Sequence, residues 1–176
     1  MFIPGWLISI LTFPGVIVHE IGHRVFADLA KVPVYKVCYF RIGNPAGYVV
    51  HGPSNGLKNS LLISVGPLIV NTLLCSLITF SAVFPLFILD VEKSDWVFAL
   101  LMWIGISIGM HAFPSNVDME NLVNDVKSTK QKGPLLITAR IFAGFFRLAN
   151  ALRFVWFDAI YAVGVAYLLP WLFGYI

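Results

Sequence analysis

His19, Glu20 and His23 form the pattern H-E-x-x-H, which is the strongest chemical signal in the chain. If this segment is helical, a spacing of four residues puts both imidazoles on one face, about one turn apart. Two imidazole nitrogens placed in this way can bind one Zn²⁺ ion. The adjacent glutamate can take a proton from a water molecule that the metal makes more acidic. The pattern therefore predicts a zinc site with Glu20 as its general base.

A catalytic zinc site normally has three protein ligands and one open position, so a third ligand must come from elsewhere. The residues alone leave five candidates: His51, His111, Asp118, Glu120 and Asp125. Asp118 follows directly after the helix break expected at Pro114, but the residues alone do not decide between the five. His111 has two expected roles, as the alternative ligand or as the source of a hydrogen bond that orients a ligand.

These polar residues lie in a strongly apolar chain. Of the 176 residues, 59% are hydrophobic and 12% are charged, and the mean hydropathy is +0.83. A soluble domain would be about one quarter charged, so we expect a lipid bilayer to cover most of this surface. The net charge of +3 is too small to indicate nucleic-acid binding. Two histidines and a glutamate inside an apolar segment are costly unless they bind a metal or line a polar cavity.

Hydropathy predicts an all-α membrane protein, a polytopic bundle of about four transmembrane helices in a single domain covering residues 1–176. The spans are expected at residues 2–30, 60–89, 96–113 and 154–174. Arg140, Arg147 and Arg153 recur at six- or seven-residue spacing among Phe, Leu and Ala. This spacing favours an amphipathic helix at the membrane interface over residues 135–153.

The distribution of basic residues predicts the orientation in the membrane. All Lys and Arg residues except Lys93 lie either from Arg24, near the end of the first span, to the start of the second span, or after the third. The positive-inside rule places both basic segments in the cytoplasm and the N-terminus outside. We therefore expect a multi-pass protein of the cell membrane with its metal site towards the cytoplasmic side.

Residues 34–51, in the first basic segment, have the pattern of a β-hairpin on the cytoplasmic side. Val, Tyr and Phe flank a run of turn-forming residues, Gly43 to Gly47. An exposed strand edge can supply hydrogen bonds to an unwound substrate peptide. A turn at the membrane surface, without such a role, is the alternative.

Three groups of residues resemble motifs of the site-2 proteases, which are intramembrane zinc metalloproteases. They are His19-Glu20-Ile21-Gly22-His23, then Gly47-Tyr48-Val49 leading to Gly66-Pro67-Leu68-Ile69-Val70-Asn71, and Asn116-Val117-Asp118-Met119. At the third motif the family has Asn-Pro-Asp-Gly, so Val117 and Met119 replace the proline and the glycine. The resemblance covers about residues 5–125 and implies cleavage within or beside a substrate's transmembrane helix. It also implies that Asp118 is the third zinc ligand.

Asn71 lies about eleven residues into the predicted second span, at a depth comparable with that of the histidines. A buried amide at this depth could hold the substrate strand or stabilise a developing oxyanion. The resemblance implies the same substrate-binding role. An interhelical hydrogen bond between packed spans is the alternative.

Together, these features predict a zinc endopeptidase that acts on transmembrane protein substrates within the lipid bilayer. No soluble sensor domain is recognised in the chain, so we expect regulation to need another membrane protein. Three other functions stay open. They are a metal-binding membrane scaffold without proteolysis, which the changes at Val117 and Met119 favour, a transporter whose His and Asp residues line a path, and a zinc hydrolase acting on lipid.

Overall fold

The computed structural model describes residues 4–88 and 95–174, which are mostly helical with one small antiparallel sheet. The helices are α1 (Gly5–Leu11), α2 (Phe13–Leu29), α3 (Leu57–Ile88), α4 (Asp95–Met110), α5 (Asn116–Ser128), α6 (Pro134–Leu152) and α7 (Phe157–Leu172). The strands are β1 (Val34–Cys38) and β2 (Tyr48–His51), and a 3₁₀ turn (Arg153–Val155) precedes α7. The predicted helical class and the predicted hairpin are confirmed. Residues 2, 3 and 89 of the predicted spans, and the predicted loop around Lys93, lie outside the described residues.

The first predicted span is two helices instead of one continuous helix. α1 and α2 meet at Thr12 with a bend of 91°. Pro14 explains the break, because proline lacks an N–H and its ring clashes with the carbonyl four residues earlier in a helix. Proline is well tolerated at the start of a new helix, where Pro14 lies. The indole N–H of Trp103 donates to the terminal carbonyl of α1, at Leu11, over 3.0 Å.

By length and apolarity, two described segments could cross a membrane, Leu57–Phe84 within α3 and Pro134–Val155. The bent pair of α1 and α2 could form a third span. α4 and α7 are apolar but have 16 residues each, or about 24 Å of helix against a hydrocarbon core of about 30 Å. Length alone therefore does not separate the interfacial helix predicted at residues 135–153 from a span. The described helices are compatible with a membrane protein that has two or three spans.

α3 is the central helix, since it packs against α2, α4, α5 and α7. Two glycines let α2 approach its neighbours closely. A Cβ at Gly15 would overlap the main-chain carbonyl of Ser107 in α4, and a Cβ at Gly22 would lie 2.8 Å from the Cα of Pro67 in α3. Because Gly15 and Gly22 lie on either side of His19, the H-E-x-x-H segment is held tightly between these helices.

A second layer consists of α5 and α6, which pack against each other and against α3. Their apolar cluster contains Phe113, Leu122 and Phe146, each 2% exposed or less. Phe113 belongs to the short connection between α4 and α5. Burial of this residue anchors the start of α5 to the cluster, which side chains of α3 also contact.

Candidate metal centre

α2 turns His19, Glu20 and His23 towards the interior, where each residue is less than a tenth exposed. His19 Nδ1 lies 2.6 Å from the main-chain oxygen of His111. His23 Nδ1 lies 3.1 Å from the main-chain oxygen of Ile63. A carbonyl oxygen can only accept, so each Nδ1 carries a proton and donates. Each Nε2 of the neutral rings is therefore left with a lone pair, which is the form that binds metals.

The two Nε2 atoms converge on the carboxylate of Asp118. They are 3.1 Å apart, and Asp118 Oδ2 lies 3.3 Å from His23 Nε2 and 3.8 Å from His19 Nε2. Three unprotonated acceptor atoms in this arrangement repel one another unless a proton or a metal ion lies between them. A tetrahedral zinc ion with bonds of about 2.0–2.2 Å separates its ligand atoms by about 3.3–3.6 Å. The donor set and its spacing therefore fit Zn²⁺ with a fourth position left open.

Among the described residues, His19, His23 and Asp118 form the group of metal-binding side chains that could hold an ion. The ring of His111 is not part of it. His51 and Asp125 are also outside it, although they line a neighbouring cavity. Glu120 is exposed. Of the five candidates for a third ligand, the structure thus brings Asp118 to the two histidines.

Asp118 is oriented by the first turn of α5, in which Ser115 is the N-cap. The Ser115 N–H and hydroxyl donate to Asp118 Oδ2 over 2.9 Å and 2.6 Å, and the Asp118 N–H donates back to Ser115 Oγ over 3.3 Å. This is a capping box, with the third helical residue as the acidic partner. Burial opposes the charged form of the Asp118 carboxyl, but the positive charge of the His23 and His19 imidazoles, when these rings are protonated, holds its pKa well below its usual range.

Val117 and Met119 fit this capped turn without an unusual backbone. Val117 is 65% exposed. Met119 packs against the α5–α6 cluster, and its sulfur accepts a hydrogen bond from the side-chain amide of Asn150 over 3.6 Å. The third motif is therefore the first turn of a regular helix. Neither a proline nor a glycine is needed here to point Asp118 towards the histidines.

Glu20 and His19 line a cavity of about 460 Å³. The hairpin loop, residues 43–47, forms part of its wall. Gly47 lies so close to Glu20 that a Cβ there would be 2.7 Å from Glu20 Cγ and 2.9 Å from Oε1. The carboxylate predicted as the general base thus faces a space of the size that ligand pockets have.

His23 and Asp118 line a second cavity, of about 610 Å³. Its other walls are mostly polar and include His51, Ser54 and Asp125, of which Ser54 Oγ donates to Asp125 Oδ2 over 3.1 Å. The ligand His19 lines the first cavity, and the other two ligands, His23 and Asp118, line the second. The metal-binding group therefore lies between two cavities.

Asn71 is fully buried and lines neither cavity. Its amide nitrogen is within hydrogen-bonding distance of three main-chain oxygens, those of Gly15 (3.3 Å), Ile108 (2.9 Å) and His111 (3.1 Å). The His111 oxygen is also the acceptor for His19. These contacts favour the interhelical role over the predicted contact with substrate, since Asn71 joins α2, α3 and α4 behind the metal-binding group.

The side chain of His111 contacts Thr12 and is not part of the metal-binding group. The Thr12 hydroxyl donates to the Ile8 carbonyl over 2.6 Å, so the hydrogen bond of 2.7 Å between Thr12 Oγ1 and His111 Nε2 has the histidine as donor. This bond secures the junction of α1 and α2. His111 therefore has the second of its two expected roles, since it orients the ligand His19, but it does so through its main-chain carbonyl.

Sequence reasoning missed three contributors to the site: Ser115, Gly47 and Arg153. Ser115 had a local signal, since Ser-x-x-Asp is a capping-box pattern. Gly47 lies in the predicted turn, but its contact with Glu20 arises only when the hairpin folds over α2. Arg153 contacts the loop before α5 although it lies 39 and 40 residues further along the chain than its two partners.

No known family model matches the chain, and neither a curated protein nor a solved structure matches it.

Proposed function

We propose that this chain is an intramembrane zinc endopeptidase that cleaves peptide bonds in or near the transmembrane segments of membrane proteins. One observation carries the proposal. Two imidazole Nε2 atoms and one carboxylate oxygen meet within 3.8 Å of one another, next to a glutamate that faces a cavity. The resemblance to site-2 proteases implies these roles for the same four residues, His19, Glu20, His23 and Asp118.

In this mechanism His19, His23 and Asp118 hold Zn²⁺. When bound, the ion would polarise the scissile carbonyl and lower the pKa of the attacking water. Glu20 accepts the proton of that water on its carboxylate and later donates it to the leaving amine nitrogen. The surrounding helices limit the access of other water molecules to the reacting groups.

The hairpin would present the substrate to Glu20. A transmembrane helix hides its peptide carbonyls in its own hydrogen bonds, so it must unwind before hydrolysis. A free edge of the β1–β2 sheet offers replacement hydrogen bonds to an extended segment. Because the loop between these strands borders the Glu20 cavity, a paired segment can continue into that cavity.

We place the chain in the membrane with four spans, of which α4 and α7 are two short ones, and with the metal site towards the cytoplasm. Exposed apolar side chains on α4 and α7, including Trp96, Leu100 and Ile160, support contact with lipid. α6 lies along the interface in this arrangement. Its residues Arg140 and Arg147 are exposed, and in a spanning helix they would face hydrocarbon at a cost of about 3 kcal/mol each. A membrane protein partner would supply regulation.

The test compares the wild-type chain with Glu20→Gln and Asp118→Ala in proteoliposomes that contain single-span substrate proteins. We expect about one zinc per wild-type chain, as a three-ligand site requires. Glu20→Gln should keep the metal and lose cleavage, whereas Asp118→Ala should lose both. Full zinc content in Asp118→Ala would transfer the ligand role to another residue. Bound zinc without cleavage that depends on Glu20 would favour the scaffold, and a wild-type chain without zinc would overturn the proposal.

A further inference from the structure

The 3₁₀ turn before α7 carries an arginine that reaches the connection between α4 and α5. Arg153 Nη2 donates to the main-chain oxygens of Phe113 and Pro114 over 3.3 Å and 3.4 Å, and its Nε donates to Asp158 Oδ2 over 2.9 Å. The side chain of Arg153 is one third exposed and that of Asp158 one fifth. One guanidinium thus links α7 to a two-residue stretch of main chain that belongs to neither α4 nor α5.

This stretch determines where Asp118 lies. Pro114 is followed directly by Ser115, whose N–H and hydroxyl hold the Asp118 carboxylate. A shift of the Pro114 carbonyl would move Ser115, and with it the carboxylate oxygen that lies 3.3 Å from His23 Nε2. The contacts therefore form an unbroken path from Asp158 through Arg153 to Asp118.

The chemistry of the pair suits this task. A guanidinium is planar and presents several N–H donors in fixed directions, so it can bind a carboxylate and two carbonyls at once, which a lysine ammonium holds less rigidly. Asp158, in α7, orients the Arg153 guanidinium by accepting a hydrogen bond from its Nε. Apolar replacements of buried ion pairs are often neutral or stabilising, so a large contribution of this pair to stability is not expected.

We propose that Arg153, oriented by Asp158, is a positioning residue for the third metal ligand. It fixes the α4–α5 connection so that the Asp118 carboxylate meets the two imidazoles. The inference rests on the proposed function for the identity of the bound group. It assigns a role in the site to the last third of the chain, which the resemblance to site-2 proteases does not cover.

The test uses the full chain in lipid nanodiscs, freed of metal and titrated with Co²⁺, whose visible spectrum reports the number and type of ligands. Arg153→Gln and Asp158→Asn are compared with Arg147→Gln, which changes an exposed arginine on α6. We expect Arg153→Gln to weaken Co²⁺ binding about 10- to 100-fold, the range for residues that orient metal ligands, and to alter the spectrum. Asp158→Asn should act in the same direction but less strongly, and Arg153→Lys should recover part of the affinity.

Thermal unfolding of the metal-free variants separates a positioning role from a loss of fold. The inference predicts a changed cobalt spectrum in a variant that unfolds at the wild-type temperature. A wild-type spectrum and affinity in both Arg153→Gln and Asp158→Asn would overturn the inference and leave the proposed function intact. A wild-type chain that binds no Co²⁺ or Zn²⁺ would instead overturn the proposed function, and this inference with it.

Discussion

The metal-binding group has two halves that are built in different ways. His19 and His23 lie in the middle of α2, and their side chains are 10% and 6% exposed. Each ring is fixed by a carbonyl from another part of the core, at His111 or Ile63. Asp118 lies at the start of α5, its side chain is 25% exposed, and its hydrogen bonds come from Ser115 in the same turn. The histidine half depends on helix packing, and the aspartate half depends on a cap and a connecting loop.

This difference suggests that the two halves will respond differently to substitution. A change in the histidine half disturbs a tightly packed interior, in which small shifts propagate. A change in the aspartate half alters a local hydrogen-bond set that is partly open to solvent. We therefore expect graded effects on metal affinity from the aspartate half and larger, all-or-none effects from the histidine half.

The largest expected effect comes from His23→Ala, which removes a ligand that the core holds in place. We expect no zinc after desalting and a fall in cleavage of about a thousandfold or more, since the metal supplies several kcal/mol of transition-state stabilisation. Metal analysis and cleavage in proteoliposomes measure both. His51→Ala is the matched control, because His51 lines the second cavity, as His23 does, without belonging to the metal-binding group. Zinc retained at full occupancy in His23→Ala would refute the ligand set.

The second prediction concerns Glu20, which belongs to the histidine half but binds no metal in the proposal. In Gly47→Ala the new methyl group would meet the Glu20 side chain at 2.7 Å, so the carboxylate or the hairpin loop must shift. We expect kcat to fall about 100-fold, which is the scale for a misplacement of about 1 Å, while zinc content stays at the wild-type level.

Gly43→Ala is the control for this substitution. It lies in the same loop, but its Cβ would be 3.9 Å from the nearest atom, Arg41 Nε. Equal rates for the two alanine variants would contradict a functional contact between the hairpin loop and Glu20. Loss of zinc in Gly47→Ala would show that the loop acts on the ligands as well.

The histidine half could be predicted from sequence because its signals are local. A spacing of four residues in a helix determines that two side chains share a face, whatever the tertiary structure. The hairpin at residues 34–51 was predictable for the same reason, because turn-forming residues lie between two short runs of residues that favour β-strands. The residues alone leave five candidates for the third ligand, and it is the resemblance that implies Asp118. Its capping by Ser115 could have been read from the Ser-x-x-Asp pattern.

The remaining features depend on contacts between distant residues. The segment stays strongly apolar on both sides of Thr12, so hydropathy predicts one helix where the structure has a second helix that begins at Phe13. Asn71 has the right depth for a substrate contact, but its orientation depends on how α3 packs against α2 and α4. The sequence places Arg153 in an amphipathic pattern, because its bonds to Phe113 and Pro114 form only when α7 packs near α4.

A third prediction tests whether the hydrogen bonds of Asn71 stabilise the packing around the histidine half. In Asn71→Leu the main-chain oxygens of Gly15, Ile108 and His111 lose the two amide N–H donors that they share, and the His111 oxygen is also the one that accepts from His19. We expect the free energy of unfolding of the metal-free chain to fall by about 1–3 kcal/mol, measured by denaturant in detergent. Asn124→Leu, at an exposed position on α5, is the control. Wild-type stability combined with a raised KM would instead support the substrate-binding role that the sequence suggested.

The smallest expected effect comes from Ser115→Ala, which weakens the aspartate half without removing a ligand. Loss of the hydroxyl removes the cap from the Asp118 N–H and one of the two bonds to Oδ2, but the Ser115 N–H still donates to the carboxylate. We expect a loss of about 1 kcal/mol in stability and about tenfold in zinc affinity, measured by competition with a chelator. Ser115→Thr keeps a hydroxyl and should restore both, whereas Ser128→Ala, at the other end of α5, should leave zinc affinity unchanged. If Ser115→Ala lost zinc as completely as His23→Ala, the position of Asp118 would depend on its surroundings as strictly as the positions of the histidines do. The contrast between a packed core and a local cap would then be wrong.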